Sequence, residues 1–227
     1  VDASGTMGQV LRDGDGDVTF DPVIVPPFAT YNLVDPLVVN GDAGTQNDRF
    51  IVDFVNGNPI PVNGLTIDGG DETSGDSLEI VDFIAEDSFE VAPGTLFNFD
   101  SVVYTSTGVD SGTIEIDDGV IVPTRTITYA ELEPVLDTVA AVDREFTINS
   151  MANPGDHVID VANTGGRTII ADNGTSAFES VEFANPSNSL TLNAGDGNNT
   201  ITVGALDATF AAAVVAGTRS VSINGEG

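Results

Sequence analysis

Four short blocks of the chain share one alternation of apolar and polar positions, which ends in an Asn or Asp and leads into an acidic, Gly-containing turn. The blocks are residues 37–42 (LVVNGD), 65–71 (LTIDGGD), 190–196 (LTLNAGD) and 221–226 (VSINGE). Alternation bounded by Gly and Asp is typical of half-buried β-strands. Each block therefore predicts a strand with one face turned inward.

A second strand is predicted after three of these turns, at residues 50–54 (FIVDF), 78–80 (LEI) and 200–203 (TITV). The repeating unit is thus strand, acidic turn, strand. The first two blocks start 28 residues apart, at 37 and 65, and the last two 31 apart, at 190 and 221. This spacing suits one coil of a solenoid, so we expect the units to stack in parallel.

Between the two pairs of blocks the pattern is less regular but still favours β structure. Residues 97–104, 112–116 and 125–129 predict strands, with turns at 108–112 (GVDSG) and 117–119 (DDG). Two segments favour short helices instead. These are residues 131–143, which Pro134 limits, and the alanine-rich residues 207–217.

The character of the chain changes after residue 36. Residues 1–36 contain DGDGD at 13–17 and the Pro-rich run PVIVPP at 22–27, and we interpret them as a lead-in segment or the tail of a preceding module. Residues 37–227 form the predicted stacked β-repeat domain. Because the chain stops at NGEG (224–227), where the acidic turn would continue, we expect a fragment of a longer array.

The charge balance is strongly acidic. The chain has 36 Asp and Glu against six Arg and no Lys, for a formal net charge of −30, and Asp outnumbers Glu 25 to 11. Self-repulsion of this size destabilises a compact state unless cations bind. Asp is a short oxygen ligand that suits tight calcium turns. The alternative cause is a surface adapted to a salty environment, and the two causes can coexist.

Composition also excludes several classes of function. A nucleic-acid partner is excluded because no basic patch could neutralise phosphates, and anionic membrane surfaces are disfavoured for the same reason. No apolar run approaches the roughly 18 residues of a membrane span. Cysteine is absent, so disulfides and thiol chemistry are excluded and metal ions are the obvious means of stapling an extracellular fold.

Four turns supply candidate calcium ligands, since Gly-rich turns offer backbone carbonyls as well as carboxylates. The candidates are Asp68, Asp71 and Asp76; Asp42, Asn47 and Asp48; Asn193, Asp196 and Asn198; and Asp13, Asp15 and Asp17. The last set matches the acids that open an EF-hand loop, but Val18 and Ile24 stand where that loop needs Gly and Glu, so it is not an EF-hand. The alternative is an ordinary β-turn, in which Asp, Asn and Gly are enriched for conformational reasons.

At residues 65–80 (LTIDGGDETSGDSLEI) and 189–203 (SLTLNAGDGNNTITV) the chain resembles the repeat arrays of giant bacterial extracellular proteins, which are similar in pattern to calcium-binding RTX repeats. Residues 126–134 (TITYAELEP) and 181–189 (VEFANPSNS) carry the same resemblance. It implies a β-solenoid or similar stacked array, secretion, surface attachment or adhesion, and calcium in the turns. Ala194 and Asn198 depart from the RTX nonapeptide, which has Gly and Asp there.

The residues available for catalysis are few, with no Cys, Lys or Trp and one histidine. We interpret His157 as a solvated turn residue, because no Gly-x-Ser-x-Gly motif accompanies it and one histidine cannot build a usual zinc site. The enzymatic alternative is a β-helical polysaccharide-acting enzyme. Such an enzyme could use Asp117 with Asp118, or Asp82 with Asp87, as paired carboxylates.

The sequence therefore predicts an all-β, stacked-repeat array, a parallel β-solenoid, with β-sandwich modules as the alternative. We expect a non-enzymatic, calcium-stabilised structural segment of a secreted or cell-surface protein, such as a fibre, surface layer or adhesin stalk. Self-association or contact with neighbouring repeats is expected, because exposed end strands are templates for further pairing. The alternative function is a carbohydrate- or host-surface-binding module that retains a surface glycan.

Overall fold

The computed structural model describes residues 35–41, 47–54, 58–70, 75–82, 98–119, 124–149, 151–152, 154–173 and 178–225, and the backbone alone of residues 9–13. The strands of this part of the chain are Gln9–Asp13 (β1), Leu37–Asn40 (β2), Arg49–Asp53 (β3), Leu65–Asp68 (β4), Ser77–Val81 (β5), Asn98–Gly108 (β6), Ser111–Asp117 (β7), Arg125–Ala130 (β8), Val135–Asp137 (β9), Ala140–Ile148 (β10), Val158–Thr164 (β11), Arg167–Asp172 (β12), Val181–Phe183 (β13), Ser189–Asn193 (β14), Thr200–Val203 (β15) and Ser220–Asn224 (β16). A helix, Ala208–Val215 (α1), precedes the last strand.

These strands form two mixed, largely parallel sheets. Sheet A has the order β1-β3-β5-β9-β13-β12-β11-β15, and sheet B has the order β2-β4-β8-β7-β6-β10-β14-β16. The antiparallel pairs are β1 beside β3, the β6–β7–β8 meander of sheet B and the β11–β12–β13 meander of sheet A. The prediction of a largely β structure is thus confirmed.

The chain passes back and forth between the sheets as it advances along them. It runs from β2 in sheet B to β3 in sheet A, back to β4 and on to β5. The B meander, β9, β10, the A meander, β14 and β15 follow in the same alternation, and α1 leads to β16. Parallel neighbours need a crossover connection. Here the crossover runs through the opposite sheet.

The predicted parallel stacking of the repeated blocks is confirmed by their register. Leu37 of β2 pairs with Leu65 of β4, and Leu190 of β14 pairs with Val221 of β16. The strands predicted after the turns are β3, β5 and β15, and β3 pairs in parallel with β5. The 28- and 31-residue spacings therefore measure the chain needed to leave one sheet, cross the other and return.

Inward-facing side chains from both sheets form one apolar core. Alternate residues are buried in most of the inner strands, as in β4 and β5, so the period-two pattern of the sequence matches the pleat there. The ring of Tyr104 in sheet B stacks on Phe183 in sheet A, with centroids 5.6 Å apart, and Phe54 meets Phe99 edge-on at 4.9 Å. Burial of each such side chain stabilises the fold by about 1.5–3 kcal/mol.

A buried ion pair crosses between the sheets inside this core. Arg144 of β10 donates from Nη1 to Oδ2 of Asp137 in β9 at 2.6 Å and to the Tyr104 hydroxyl, and from Nη2 to the Val139 carbonyl. The Tyr104 hydroxyl and the Val139 N–H donate to Asp137 at 2.6 and 2.9 Å. Burial raises the pKa of Tyr104 well above its usual value, which keeps the hydroxyl protonated as a donor. The network joins sheet A to sheet B by polar bonds.

The two helix predictions have opposite outcomes. The helix expected over residues 131–143 is wrong, because this segment forms β9 and the start of β10, where alternate residues such as Val135 and Val139 are buried. The helix expected within residues 207–217 is confirmed as α1. Asp207 caps it by accepting the N–H groups of Thr209 and Phe210 at 2.9 and 3.0 Å, and the Phe210 side chain is fully buried. No described helix is long and apolar enough to cross a membrane.

Candidate metal centre

Three carboxylates meet where loops connected to both sheets come together. Asp110 lies in the β6–β7 turn, Glu133 lies between β8 and β9, and Glu179 lies just before β13. One oxygen of each lies within 4.8 Å of the others. Among the described residues, no other three His, Cys, Asp or Glu side chains lie this close together. We call Asp110, Glu133 and Glu179 the acidic triad.

Backbone hydrogen bonds hold two members of the acidic triad in place. The Leu132 N–H donates to the Asp110 carbonyl at 3.3 Å, and the Glu133 N–H donates to the Asp76 carbonyl at 2.5 Å. The loop between β8 and β9 is therefore tied to the β6–β7 turn and to the residue before β5.

The third member is anchored by its neighbours. Phe178 is buried and its ring lies 5.1 Å from that of Phe146, which sets the position of Glu179. The Ser180 hydroxyl donates to Oε1 of Glu179 at 2.8 Å, and the Ser180 carbonyl accepts the Val135 N–H at 3.1 Å. The segment before β13 is thus bound to β9 at the same point where the other two loops meet.

The three carboxylates are electrostatically strained. A hydrogen bond with Asp110, burial, and the charges of Asp110 and Glu179 together raise the pKa of Glu133 to about 7. Burial and the Asp110 charge raise the pKa of Glu179, against the hydrogen bonds of Ser180. Oδ1 of Asp110 is buried without a hydrogen-bond partner in the described part of the chain. Near neutral pH a bound cation would relieve this crowding.

The ligand set suits a hard cation. Calcium binds oxygen at about 2.4 Å, so two ligand oxygens of one ion lie at most about 4.8 Å apart. The oxygens of the acidic triad meet this limit. Zinc prefers nitrogen and sulfur ligands, which the triad lacks. Three carboxylates, with carbonyls or water completing roughly six to eight ligands, are therefore a candidate calcium site.

The first predicted calcium turn is described in part. Asp68 is exposed at the end of β4, and its Oδ1 accepts the Gly70 N–H at 3.3 Å. Asp76 is buried, and its Oδ1 accepts the Asp48 N–H at 2.5 Å. Asp71 lies outside the described residues. A calcium ion bound by Asp68, Asp71 and Asp76 stays a prediction.

The second predicted turn stacks directly on the first. Asp48 is buried, and its carbonyl accepts the Ser77 N–H at 2.9 Å. The Asn47 side chain lies against Gly75, where a β-carbon would overlap it. Asn47 and Asp48 therefore lie beside residues 75 and 76, which follow them by 28 positions. Asp42, the remaining candidate of this turn, lies outside the described residues.

Asn193, predicted as a ligand in the third turn, is bonded along sheet B. Its Nδ2 donates to Oε1 of Glu145 at 2.7 Å and to Oγ1 of Thr147 at 2.9 Å, while its Oδ1 accepts from Nδ2 of Asn224 at 2.8 Å. Both ends of the amide are thus used in hydrogen bonds between strands.

The other candidates of the third turn are exposed. Asp196 lies at the surface, and the Asn198 N–H donates to Oδ1 of Asp156 at 2.7 Å. The turn is closed by Asn199, whose amide donates to backbone carbonyls of the same turn and accepts the His157 N–H at 2.9 Å. The pattern NAGDGNN did not distinguish Asn199, which closes the turn, from its exposed neighbours.

The interpretation of His157 as solvated is wrong. The side chain is only 2% exposed, and neither ring nitrogen has a hydrogen-bond partner among the described residues. Its sequence neighbours Gly155 and Asp156 suggested a surface turn. The chain instead turns inward before β11, so the ring is covered by tertiary packing.

The acids of the lead-in segment are described only at Asp13. This residue ends β1, and its backbone pairs with Arg49 of β3, so the lead-in segment adds a strand to sheet A. The side chain of Asp13, together with Asp15 and Asp17, lies outside the described residues.

The two carboxylate pairs that are candidates for catalysis lie after β5 and at the end of β7. Oδ1 of Asp117 accepts the Gly119 N–H at 2.9 Å, and Oδ2 of the largely buried Asp118 accepts from Asn58 at 3.0 Å. Both acids thus make structural contacts at the end of β7. Asp82 follows β5 and is described, whereas Asp87 is not.

The acidic triad was missed in the sequence because its members come from three separate segments. The GVDSG pattern correctly placed Asp110 in a turn. Glu133 lay in the segment predicted as a helix, and nothing in the local pattern singled out Glu179. Only the pairing of β9 with β13 brings the last two together.

No protein-family model, curated protein or solved structure matches this chain. Three features of its geometry make the acidic triad a candidate cation site: oxygen ligands, crowded charge and a position that joins loops of both sheets.

Proposed function

We propose that this chain is a calcium-stabilised, non-enzymatic structural segment of a secreted or cell-surface protein, built as a flattened parallel β-solenoid. The observation that carries this proposal is the path of the chain, which advances strand by strand from one end of both sheets to the other. In such a stack each unit contacts its neighbours alone, so added units increase length. That is the property required of a spacer, fibre or stalk.

The two meanders fit this architecture. Simple coils, such as β2–β3 and β4–β5, place one strand in each sheet. The B meander adds two further strands to sheet B, and the A meander adds two further strands to sheet A. Because each sheet contains one meander, both sheets gain the same number of strands, and their end strands lie at the same position along the stack. The interruptions are therefore compatible with continuous stacking.

Calcium is supported by charge and by geometry. A net charge of −30 opposes folding unless cations bind, and the acidic triad brings three carboxylates together at one point. An ion there would be bound both by the β6–β7 turn of sheet B and by the segment before β13 of sheet A, so it would join the two sheets. At a calcium concentration about 100 times the Kd, one such site would stabilise the fold by about 2.7 kcal/mol.

Thermal unfolding tests the role of calcium. We expect the circular-dichroism midpoint to fall on chelation at fixed high sodium chloride, and to be restored by calcium but not by more sodium chloride, because a specific site responds to calcium and not to screening. An unchanged midpoint on chelation would overturn the calcium part of the proposal.

A pair of variants locates the site. We expect Glu133→Gln to lose most of the calcium-dependent rise in midpoint, since it removes one ligand of the acidic triad. The control is Glu115→Gln, which removes an exposed acid of β7 outside the triad and should keep the response. A full calcium response in Glu133→Gln would refute the triad as the binding site.

A further inference from the structure

The B meander lies in sheet B in the reverse of its order along the chain. β4 is followed in the sheet by β8, β7, β6 and β10, which we call the observed order. The chain order would instead be β4, β6, β7, β8 and β10. β6 and β8 run in the same direction, because each pairs antiparallel with β7, and both are parallel to β4 and β10. Strand direction therefore permits both orders.

The apolar packing of sheet B also fits both orders. Phe146 of β10 pairs with Tyr104 of β6, and Leu65 of β4 pairs with Ile127 of β8. Ile114 of β7 joins the two pairs, so all five side chains lie in one buried row. In the chain order Phe146 would meet Ile127 and Leu65 would meet Tyr104. Every position of the row would still hold an aromatic or aliphatic side chain, and apolar burial is not directional.

The connections are long enough for either order. Sixteen residues, 82–97, join β5 to β6, and four residues, 131–134, join β8 to β9. The chain order would move β8 by two strand spacings, about 10 Å, and packed sheets lie about 10 Å apart, so the second connection would span about 14 Å. Five extended steps of the chain reach about 17 Å. Connection length does not exclude the chain order.

The adjacent row of sheet B is charged, and it differs between the two orders. Arg144 of β10 pairs with Val102 of β6. The same row continues through Ile116 of β7 to Arg125 of β8. Two strands therefore separate the arginines in the observed order. The chain order would make Arg144 and Arg125 direct neighbours, and like charges placed opposite each other destabilise a sheet.

Burial makes this repulsion stronger, because the interior screens charge poorly. Arg125 is 6% exposed and Arg144 is 1% exposed. Arg144 is bonded to Asp137, whereas Nε and Nη1 of Arg125 have no hydrogen-bond partner in the described part of the chain. Burial lowers the pKa of Arg125, and the charge of Asp118 opposes this shift. In the chain order Asp137 would have to compensate two cations.

A hydrogen bond favours the observed order from the other side. The Tyr104 hydroxyl accepts from Arg144 and donates to Asp137 at 2.6 Å. In the chain order β6 would lie three strand spacings, about 14 Å, from β10, so these bonds would not form. Ile127, which would take the place beside β10, has no hydroxyl. A buried polar group that loses its partner is costly.

We propose that Arg125 and the contact of Arg144 with Tyr104 select the observed order of the B meander against the chain order. The contact holds β6 beside β10, and Arg125 keeps β8 away from it. Apolar burial thus stabilises either arrangement, and three polar side chains decide between them. This inference goes beyond the proposed function and does not depend on calcium.

Disulfide crosslinking reports the order directly, because the chain has no cysteine of its own. An outer row of sheet B runs through the register partners Thr147, Thr105, Thr113 and Thr128, in β10, β6, β7 and β8. Thr105→Cys with Thr147→Cys reports the observed order, since neighbouring strands lie about 4.8 Å apart, within reach of a disulfide. Thr128→Cys with Thr147→Cys reports the chain order, since about 14 Å separates these positions in the observed order.

Each cysteine pair is placed in the otherwise unmodified chain and in a Tyr104→Phe, Arg125→Met variant, refolded from urea and then oxidised. The variant keeps the ion pair of Arg144 with Asp137 and removes both features that distinguish the orders. We expect the yield of the 128–147 crosslink to rise by at least about tenfold. The matched control is Arg125→Lys, which keeps the positive charge and should leave that yield unchanged.

A folded double variant whose 128–147 yield equals that of the unmodified chain would overturn the inference. A 128–147 crosslink that forms in the unmodified chain as readily as the 105–147 crosslink would also overturn it. Arg125→Met alone is a second test that leaves the Tyr104 hydrogen bonds intact and removes a buried charge without a hydrogen-bond partner. It should also raise the 128–147 yield, and an unchanged yield would show that Arg125 does not select the order.

Discussion

At the scale of single residues, the Arg144–Asp137 pair shows how burial changes the effect of a charged side chain on stability. Burial lowers the pKa of Arg144, but the adjacent Asp137 and Tyr104 outweigh it and hold the pKa above its usual value. The side chains of both ion-pair partners are fully buried. A buried pair contributes little net stability as long as it is intact, but breaking it leaves an uncompensated charge.

Asp137→Asn should therefore destabilise the protein by about 3–5 kcal/mol, measured by urea unfolding, because Arg144 would remain charged without a counter-charge. The matched control is Glu79→Gln. Its partner Arg49 is partly exposed and lies 2.6 Å away, so this change should cost less than about 1 kcal/mol. Equal losses in the two variants would contradict the role given to the buried pair.

The raised pKa of Glu133 predicts a dependence of stability on pH. Its folded pKa of about 7 lies above the usual 4.5, so the folded state binds the proton more tightly than the unfolded state does. The stabilisation is complete below about 4.5 and is lost as pH rises through about 7. In chelator, the melting midpoint of the unmodified chain should therefore fall relative to that of Glu133→Gln over this range.

Calcium should reverse the sign of that difference. With the ion bound, the charged Glu133 is a ligand, so the unmodified chain should become more stable than Glu133→Gln above about pH 7. The same order of midpoints with and without calcium would show that Glu133 does not bind the ion.

At the scale of elements, the stacked units approach each other too closely for a side chain at two glycines. A β-carbon on Gly41 would overlap the Gly69 carbonyl, and one on Gly69 would overlap the Glu131 carbonyl. Neither glycine has a positive φ. The close contact with the next unit, and not the backbone conformation, therefore requires glycine at these two positions. The Gly41 N–H donates to the Asp68 carbonyl at 2.7 Å across the same contact.

Gly69→Ala should destabilise the protein by about 1–3 kcal/mol in urea unfolding, since the neighbouring backbone must move. The control is Gly204→Ala, where a β-carbon would meet Val161 at an ordinary 3.5 Å. That change should be neutral, or stabilising by up to about 1 kcal/mol through the unfolded chain. If Gly69→Ala left the free energy of unfolding unchanged, the neighbouring units could move apart at this contact without a loss of stability.

Elements with a strong period-two pattern were predictable, and those whose state depends on neighbours were not. The blocks at residues 65–71 and 190–196 form strands because alternation, turn residues and β-branched side chains all agree. Residues 131–143 have apolar spacings that fit a helix as well as a strand. They become β9 and β10 because β5 and β13 supply backbone partners on both sides of β9.

At the scale of the whole molecule, the distribution of charge matters more than its sum. A net charge of −30 opposes a compact state in dilute salt, and the acidic triad places three carboxylates close together. Salt should therefore raise the melting midpoint by screening charges that lie more than about 8–10 Å apart. Calcium bound at the triad should raise the midpoint further at fixed salt, so the stability of the fold would depend on the ions of the surrounding medium.

Local alternation, turn chemistry and composition are enough to predict the β class, the strand–turn–strand unit, its 28- and 31-residue spacings and the acidic character. Which acids meet, in contrast, depends on the packing of the two sheets. Asp110, Glu133 and Glu179 are far apart along the chain, and their proximity depends on the order of strands in two sheets. The burial of His157 likewise depends on tertiary packing, since it is set by which strands lie beside the residue.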